Sequence, residues 1–319
     1  MQFYLSKNSS NTIKFASAIM IMLHHYSQYV CANNLSESVI FRALSYQAGF
    51  LGVAIFFFLS GFGLMESESK AHLGIGQFLK KRLLKIYLPV LFVSAIWLFI
   101  SPFAMSHSPF ADSCLLQTTI EGGGKVLYIS NILYSFGDDV LWFIKILIPL
   151  YIIFYLFSFL YQWNRWVAIS FIWIITVAIS AYVALTRASY EAISIVYFTL
   201  GVQMSLCKVK SKKELSLYIG LISLVSLCNY FCFDWTIAQH GILNAVFMAV
   251  LICVLSLKRI DIKIPSLLAL LSFDIYLIHN KVLLSMKDNC DHVELISFVV
   301  ITLLATSLFY LLRSRLLKV

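Results

Sequence analysis

With 319 residues, 61% of them hydrophobic and only 12% charged, the chain lies far from the composition of soluble globular proteins and reads as an integral membrane protein. Its mean hydropathy of +0.87 leaves no room for a large soluble domain. A formal charge of +9 raises the question of nucleic acid, but basic residues in membrane proteins gather in cytoplasmic loops, so no nucleic-acid partner is expected.

Apolar runs recur along the whole length, each able to cross a bilayer core of roughly 30 Å. They fall near 13–32, 47–65, 84–101, 140–160, 166–185, 192–207, 215–232, 240–257, 266–285 and 293–312. The expected fold is therefore an all-α, polytopic transmembrane helical bundle of about ten helices, forming a single membrane-embedded domain over 1–319. The first run follows a polar stretch, "MQFYLSKNSSNT", and no small-residue cleavage site comes after it, so it is expected to be retained as a span. Ten crossings put both termini on one side. Placing them in the cytoplasm assigns 18 of the 24 lysines and arginines to cytoplasmic segments, which is the orientation that the positive-inside rule favours.

The first run carries the first candidate chemistry. Lys14 and His25 are eleven residues apart, so on a helix they differ by only about 20° around the axis and lie roughly 16 Å apart along it. His24 points about 80° away from the Lys14 direction, which makes His25 the histidine that shares the lysine's face. A lysine reaching the headgroups and two histidines satisfied by neighbouring helices would be the plainer reading, but ionisable groups inside spans are functional candidates by default.

The second run, "FLGVAIFFFLSGFGL", ends in Ser60-Gly61-Phe62, where glycine permits close backbone approach and serine offers a hydroxyl at the inner surface. Then comes "FLKKRLLKIYLPVL", whose Lys81, Arg82 and Lys85 put several cations on one helical face at the cytoplasmic boundary. Anionic lipid headgroups or a phosphate-rich cytosolic ligand would each suit such a cluster. The Gly-x-Gly of "HLGIGQF" lacks both a preceding strand and a third glycine, so it is no dinucleotide fingerprint.

At the outer start of the fourth run Asp138, Trp142 and Lys145 share a face, with Asp139 alongside; this is either an interfacial anchor or a surface for a sugar. Arg187 and Glu191 read as an ion pair in a short turn. In the ninth run Asp274 and Lys281 share a face, and His279 lies towards the outer end. The seven cysteines form no CxxC and no Cys/His metal pattern, and no metal is expected.

Taken in order, the Lys14/His25 pair, "FFFLSGF", "KKRLLKIYLP", "LWFIKILIPLYIIFYL" at 141–156 and "LSFDIYLIH" at 271–279 resemble the integral-membrane acyltransferase type-three family, whose members commonly O-acylate bacterial surface glycans. The resemblance covers almost the entire chain. Its basic first position is commonly arginine where this chain has Lys14, which supplies charge without a planar bidentate donor.

The resemblance implies a membrane O-acyltransferase in the bacterial cytoplasmic (inner) membrane, using cytosolic acyl-CoA, most simply acetyl-CoA, and a sugar hydroxyl of a lipid-linked glycan or surface polysaccharide. On that reading His25 is catalytic, either as a general base or as a nucleophile that briefly carries the acyl group. Lys14, Ser60, Lys81, Arg82 and Lys85 would bind the donor, whose nucleotide end is rich in phosphate. Asp138, Asp139, Trp142 and His279 would serve the acceptor. Any helper transferase would be a separate chain. A rival reading is a transporter, since buried His, Asp and Lys also line substrate pathways, but the paired halves with Gly/Pro-interrupted helices that it calls for are not evident.

Overall fold

The computed structural model describes residues 5–69, 73–104, 142–186, 189–207, 235–257, 264–289 and 293–317, and every regular element among them is helical. The expected span at 215–232 lies outside the described residues, as do Asp138 and Asp139. Among the described residues, five helical segments are long and apolar enough to cross a membrane: Val39–Glu68, Trp142–Trp163, Arg165–Leu185, Leu267–Lys287 and Leu295–Arg315. This is a multi-pass membrane protein.

Helix α1 (Lys7–Ala32) is unbroken over 26 residues. The Ser6 hydroxyl caps its start by accepting from the Ser9 amide at 3.0 Å. Asn34, at φ 52°, terminates it in the left-handed region that asparagine tolerates. There the Leu35 amide donates to the Val30 carbonyl and the Asn34 amide to that of Cys31, closing the helix with a Schellman motif.

The next helical run starts earlier than the apolar pattern suggests, at Val39 rather than 47. Ser38 caps α2 (Val39–Ala43), a π-helical segment follows at Leu44–Ala48, and α3 (Gly49–Glu68) continues from it without a loop. The π segment carries "LSYQA", a stretch that hydropathy alone places at the edge of an outer loop. One extra residue in the turn turns Gln47 inwards, so a polar stretch becomes part of a helix rather than a break in it.

The remaining described helices are α4 (Ile75–Ala104), α5 (Trp142–Trp163), α6 (Arg165–Thr186), α7 (Ser189–Cys207), α8 (Trp235–Leu257), α9 (Ser266–Asn289) and α10 (Leu295–Leu317). They divide into two compact units, Met1–Ile75 with Pro149–Ser272 and Gly76–Ile148 with Phe273–Val319.

In the first unit α3 packs against both α1 and α7. Gly61 and Gly201 make the α3–α7 crossing reciprocal: a Cβ on Gly61 would lie 2.9 Å from the Phe198 carbonyl carbon, and one on Gly201 equally close to that of Phe58. Two backbones this near each other leave no space for any side chain but hydrogen, so the approach expected at Gly61 is made. Around the crossing Phe57, Phe58 and Phe198 are fully buried. Neutral hydrogen bonds join α6 to α7, with Thr176 and Thr199 hydroxyls 2.7 Å apart and Trp173 Nε1 donating to Gln203 Oε1 at 2.6 Å.

The second unit holds α4, α9 and α10 through aromatic and charged contacts. The Phe92 and Phe309 rings lie 5.4 Å apart, and Lys281 Nζ sits 5.1 Å above the Trp97 ring. Asp274 does not turn to Lys281. It accepts from Arg313 Nη2 of α10 at 2.8 Å, because α10 brings a guanidinium to a carboxylate that is otherwise sealed from solvent.

Candidate active site

Because α1 is one continuous helix through both positions, Lys14 and His25 keep the common face that their spacing implies. Both side chains are half-buried. The two adjacent histidines have different surroundings. His24 is only 4% exposed, and its Nδ1 donates to the Leu44 carbonyl at 2.9 Å, so the proton sits on Nδ1 and the lone pair on Nε2. That carbonyl belongs to the π segment, which ties the first histidine to the start of the second span. Gly49 faces the same ring, and a Cβ there would fall 2.7 Å from His24 Cγ, so glycine is required for the fit. His25 keeps a more open position, its ring set edge-on to that of His24 with centroids 5.3 Å apart. His24 is built into the wall, and His25 stands beside it.

Beside this pair lies a hydrogen-bonded chain joining the π segment to α8. Gln47 Nε2 donates both to the His240 carbonyl at 3.2 Å and to Asn244 Oδ1 at 2.7 Å, while Gln47 Oε1 lies 2.8 Å from His240 Nδ1. Tyr46, from the same segment, donates its hydroxyl to Gln239 Oε1 at 2.6 Å and lays its ring 4.2 Å from the His240 ring. Phe50 contacts both imidazoles edge-on, at 5.3 Å from His24 and 4.7 Å from His240. His24 and His240 therefore share one aromatic neighbour.

The residues expected to bind the donor fall in both units. Lys14 and Ser60, both half-buried, belong to the first unit with His25. Lys81 and Lys85 are exposed and Arg82 is half-buried in the opening turns of α4, in the second unit. Those turns are helical from Ile75, so the three cations do share a helix as their spacing requires. Arg82 buries its Nε without a hydrogen-bond acceptor among the described residues.

Of the acceptor candidates within the described residues, Trp142 is the first residue of α5 and half-buried. His279 is fully buried in α9; its Nδ1 engages the Ile275 carbonyl one turn back at 2.9 Å and its ring lies 6.2 Å from that of Tyr276. Among the described residues there is no group of three or more His, Cys, Asp and Glu side chains that could hold a metal ion.

Tyr46, Gln47, Gln239, His240 and Asn244 are neutral amides, phenols or imidazoles near the ends of apolar runs, so charge patterning does not single them out. One signal was present: in "QHGILN", His240 and Asn244 are four apart and so share a helical face. Their partner Gln47 is 193 residues away from His240, and no local pattern connects them.

Residues 7–314 match the model of the acyltransferase type-three family, described as an acyltransferase domain. No curated protein and no solved structure matches the chain.

Proposed function

Because the chain belongs to the acyltransferase type-three family, we propose that this membrane acyltransferase moves an acetyl group from cytosolic acetyl-CoA to a sugar hydroxyl of a lipid-linked glycan or surface polysaccharide, with His25 as the catalytic residue. The observation that carries the proposal is the family match over residues 7–314, on a chain whose α1 holds a half-open imidazole on the same face as Lys14. The proposal includes ten spans, both termini in the cytoplasm and a bacterial inner-membrane location.

The acceptor oxygen attacks the thioester carbonyl carbon, the C–O bond forms as the C–S bond breaks, and CoA leaves as the thiolate. The hydroxyl proton passes to the neutral His25 imidazole and from there to the thiolate, so the ring ends as it began. In the covalent route the imidazole nitrogen attacks first, releases CoA and then hands the acetyl group to the sugar oxygen. Lys81, Arg82 and Lys85 hold the phosphates of CoA, and Lys14 adds a positive charge on the face of His25. Ser60 supplies a hydroxyl to the donor. Asp138, Asp139, Trp142 and His279 are assigned to the acceptor side.

Purified protein in liposomes, given acetyl-CoA labelled on the acetyl group and glycan extracted from a strain lacking the gene, tests this directly. Label should move to glycan, and His25→Ala should lower the rate by about 10²- to 10⁴-fold while the protein still folds. Full activity in that variant removes His25 from catalysis. Flux of solute without any acyl donor would point to a transporter instead. Withholding acceptor separates the two routes, because only the covalent one leaves label on the wild-type protein. Replacing Lys81, Arg82 and Lys85 together with glutamine should raise the apparent KM for acetyl-CoA by about tenfold or more. An unchanged KM assigns the cluster to lipid headgroups.

A further inference from the structure

The Gln47–His240–Asn244 chain has a direction that can be read without ambiguity. The His240 carbonyl can only accept, so the Gln47 atom that contacts it must be the amide nitrogen, Nε2. Both Nε2 protons are then used, one on that carbonyl and one on Asn244, which must present Oδ1 in return. The remaining Gln47 atom, Oε1, can only accept, so His240 Nδ1 must carry the proton that joins them. The neutral His240 ring is left with its lone pair on Nε2.

Two atoms of this chain have no hydrogen-bond partner among the described residues. One is His240 Nε2, on a half-buried ring held between Tyr46 and Phe50. The other is Asn244 Nδ2, a donor on a side chain that is fully buried. A buried amide donor without an acceptor is unfavourable unless something fills the place. Tyr46, 39% exposed, uses its proton on Gln239 Oε1, which leaves the phenol oxygen free to accept and the Gln239 amide nitrogen free to donate.

We propose that His240, oriented by Gln47 and Asn244 and flanked by Tyr46 and Gln239, binds the hydroxyl groups of a neutral sugar acceptor. The proposal rests on the acyltransferase reading given above. A sugar hydroxyl donates one hydrogen bond and accepts others, and this cluster offers both an imidazole lone pair and amide donors. Its five polar side chains include no Lys, Arg, Asp or Glu, so it suits an uncharged polyol rather than the phosphates of CoA. Tyr46 and Phe50 supply the aromatic surface that the C–H face of a sugar ring packs against. The sharing of Phe50 by His24 and His240 puts this surface next to the helix that carries His25. Gln47 and Asn244 are positioning residues here, and His240 is the residue that touches the sugar.

The test titrates glycan extracted from a gene-deletion strain, at fixed labelled acetyl-CoA, and then titrates acetyl-CoA at fixed glycan. His240→Ala should raise the apparent KM for glycan by about tenfold, while the KM for acetyl-CoA stays within about twofold of wild type. Tyr46→Phe, which keeps the ring and removes the phenol oxygen, should shift the same constant by about threefold and serves where His240→Ala does not fold. A change confined to the acetyl-CoA constant, or none in either constant, overturns the assignment. Wild-type protein that moves no label to any glycan instead overturns the acyltransfer reading, so the two failures are distinct.

Discussion

Among the described residues, the polar links between helices differ in kind between the two units. The first unit relies mostly on neutral pairs: Thr176 with Thr199, Trp173 with Gln203, and the Gln47–His240–Asn244 chain. The second buries a charge, Asp274, against Arg313 and holds Lys281 over Trp97. Neutral groups are cheap to take out of water once hydrogen-bonded, and their fixed donor and acceptor roles orient a ring without adding charge. Buried ions have a large desolvation penalty and are tolerable only with the partner in place. The proposed catalytic His25 and the proposed sugar site both belong to the first environment; in the second, the Asp274–Arg313 pair joins α9 to α10.

That contrast predicts unequal responses to mutation. The largest should come from Asp274→Leu, which strands the Arg313 guanidinium and should lower stability by about 3 kcal/mol, measured by reversible unfolding in mixed detergent micelles. The double variant Asp274→Leu/Arg313→Met should recover most of that loss. If it is no more stable than the single variant, the pair is not the source of the effect.

An intermediate effect is expected at the α3–α7 crossing. Gly61→Ala pushes a methyl group into the Phe198 carbonyl and should destabilise the protein by about 1–3 kcal/mol. Gly63→Ala, two residues on, meets nothing within 4 Å and should be neutral or slightly stabilising in the same assay. Equal losses at the two sites would mean that helix propensity, not the crossing, governs this region. The smallest change belongs to Thr176→Val, where a single neutral hydrogen bond is lost and a drop of about 0.6 kcal/mol is expected. A drop as large as that of Asp274→Leu would erase the distinction between the units.

Much of the candidate site can be read from α1 alone. The eleven-residue spacing of Lys14 and His25 is a property of one helix, and an uninterrupted helix of 26 residues preserves it. Lys81, Arg82 and Lys85 were readable for the same reason, all within two turns of α4. Asp274 was visible as a buried charge, but its partner was not: Lys281 is seven residues away on the same helix, whereas Arg313 comes from another, 39 residues on. The π segment was hidden because polar residues beside an apolar run look like a loop edge until their partners are known. Gln47 shows this most clearly, since only α8 gives its amide two acceptors and a donor.

By itself the sequence determined that this is a helical, multi-pass membrane protein and placed Lys14 and His25 on a common face, because hydrophobic length and helical period act within single segments. Only the tertiary structure decided which histidine is walled in, which carboxylate meets which guanidinium, and that Gln47, His240 and Asn244 form one chain. Those outcomes depend on hydrogen bonds and close packing between helices far apart in sequence, where distance and angle decide and composition carries no record of the partner.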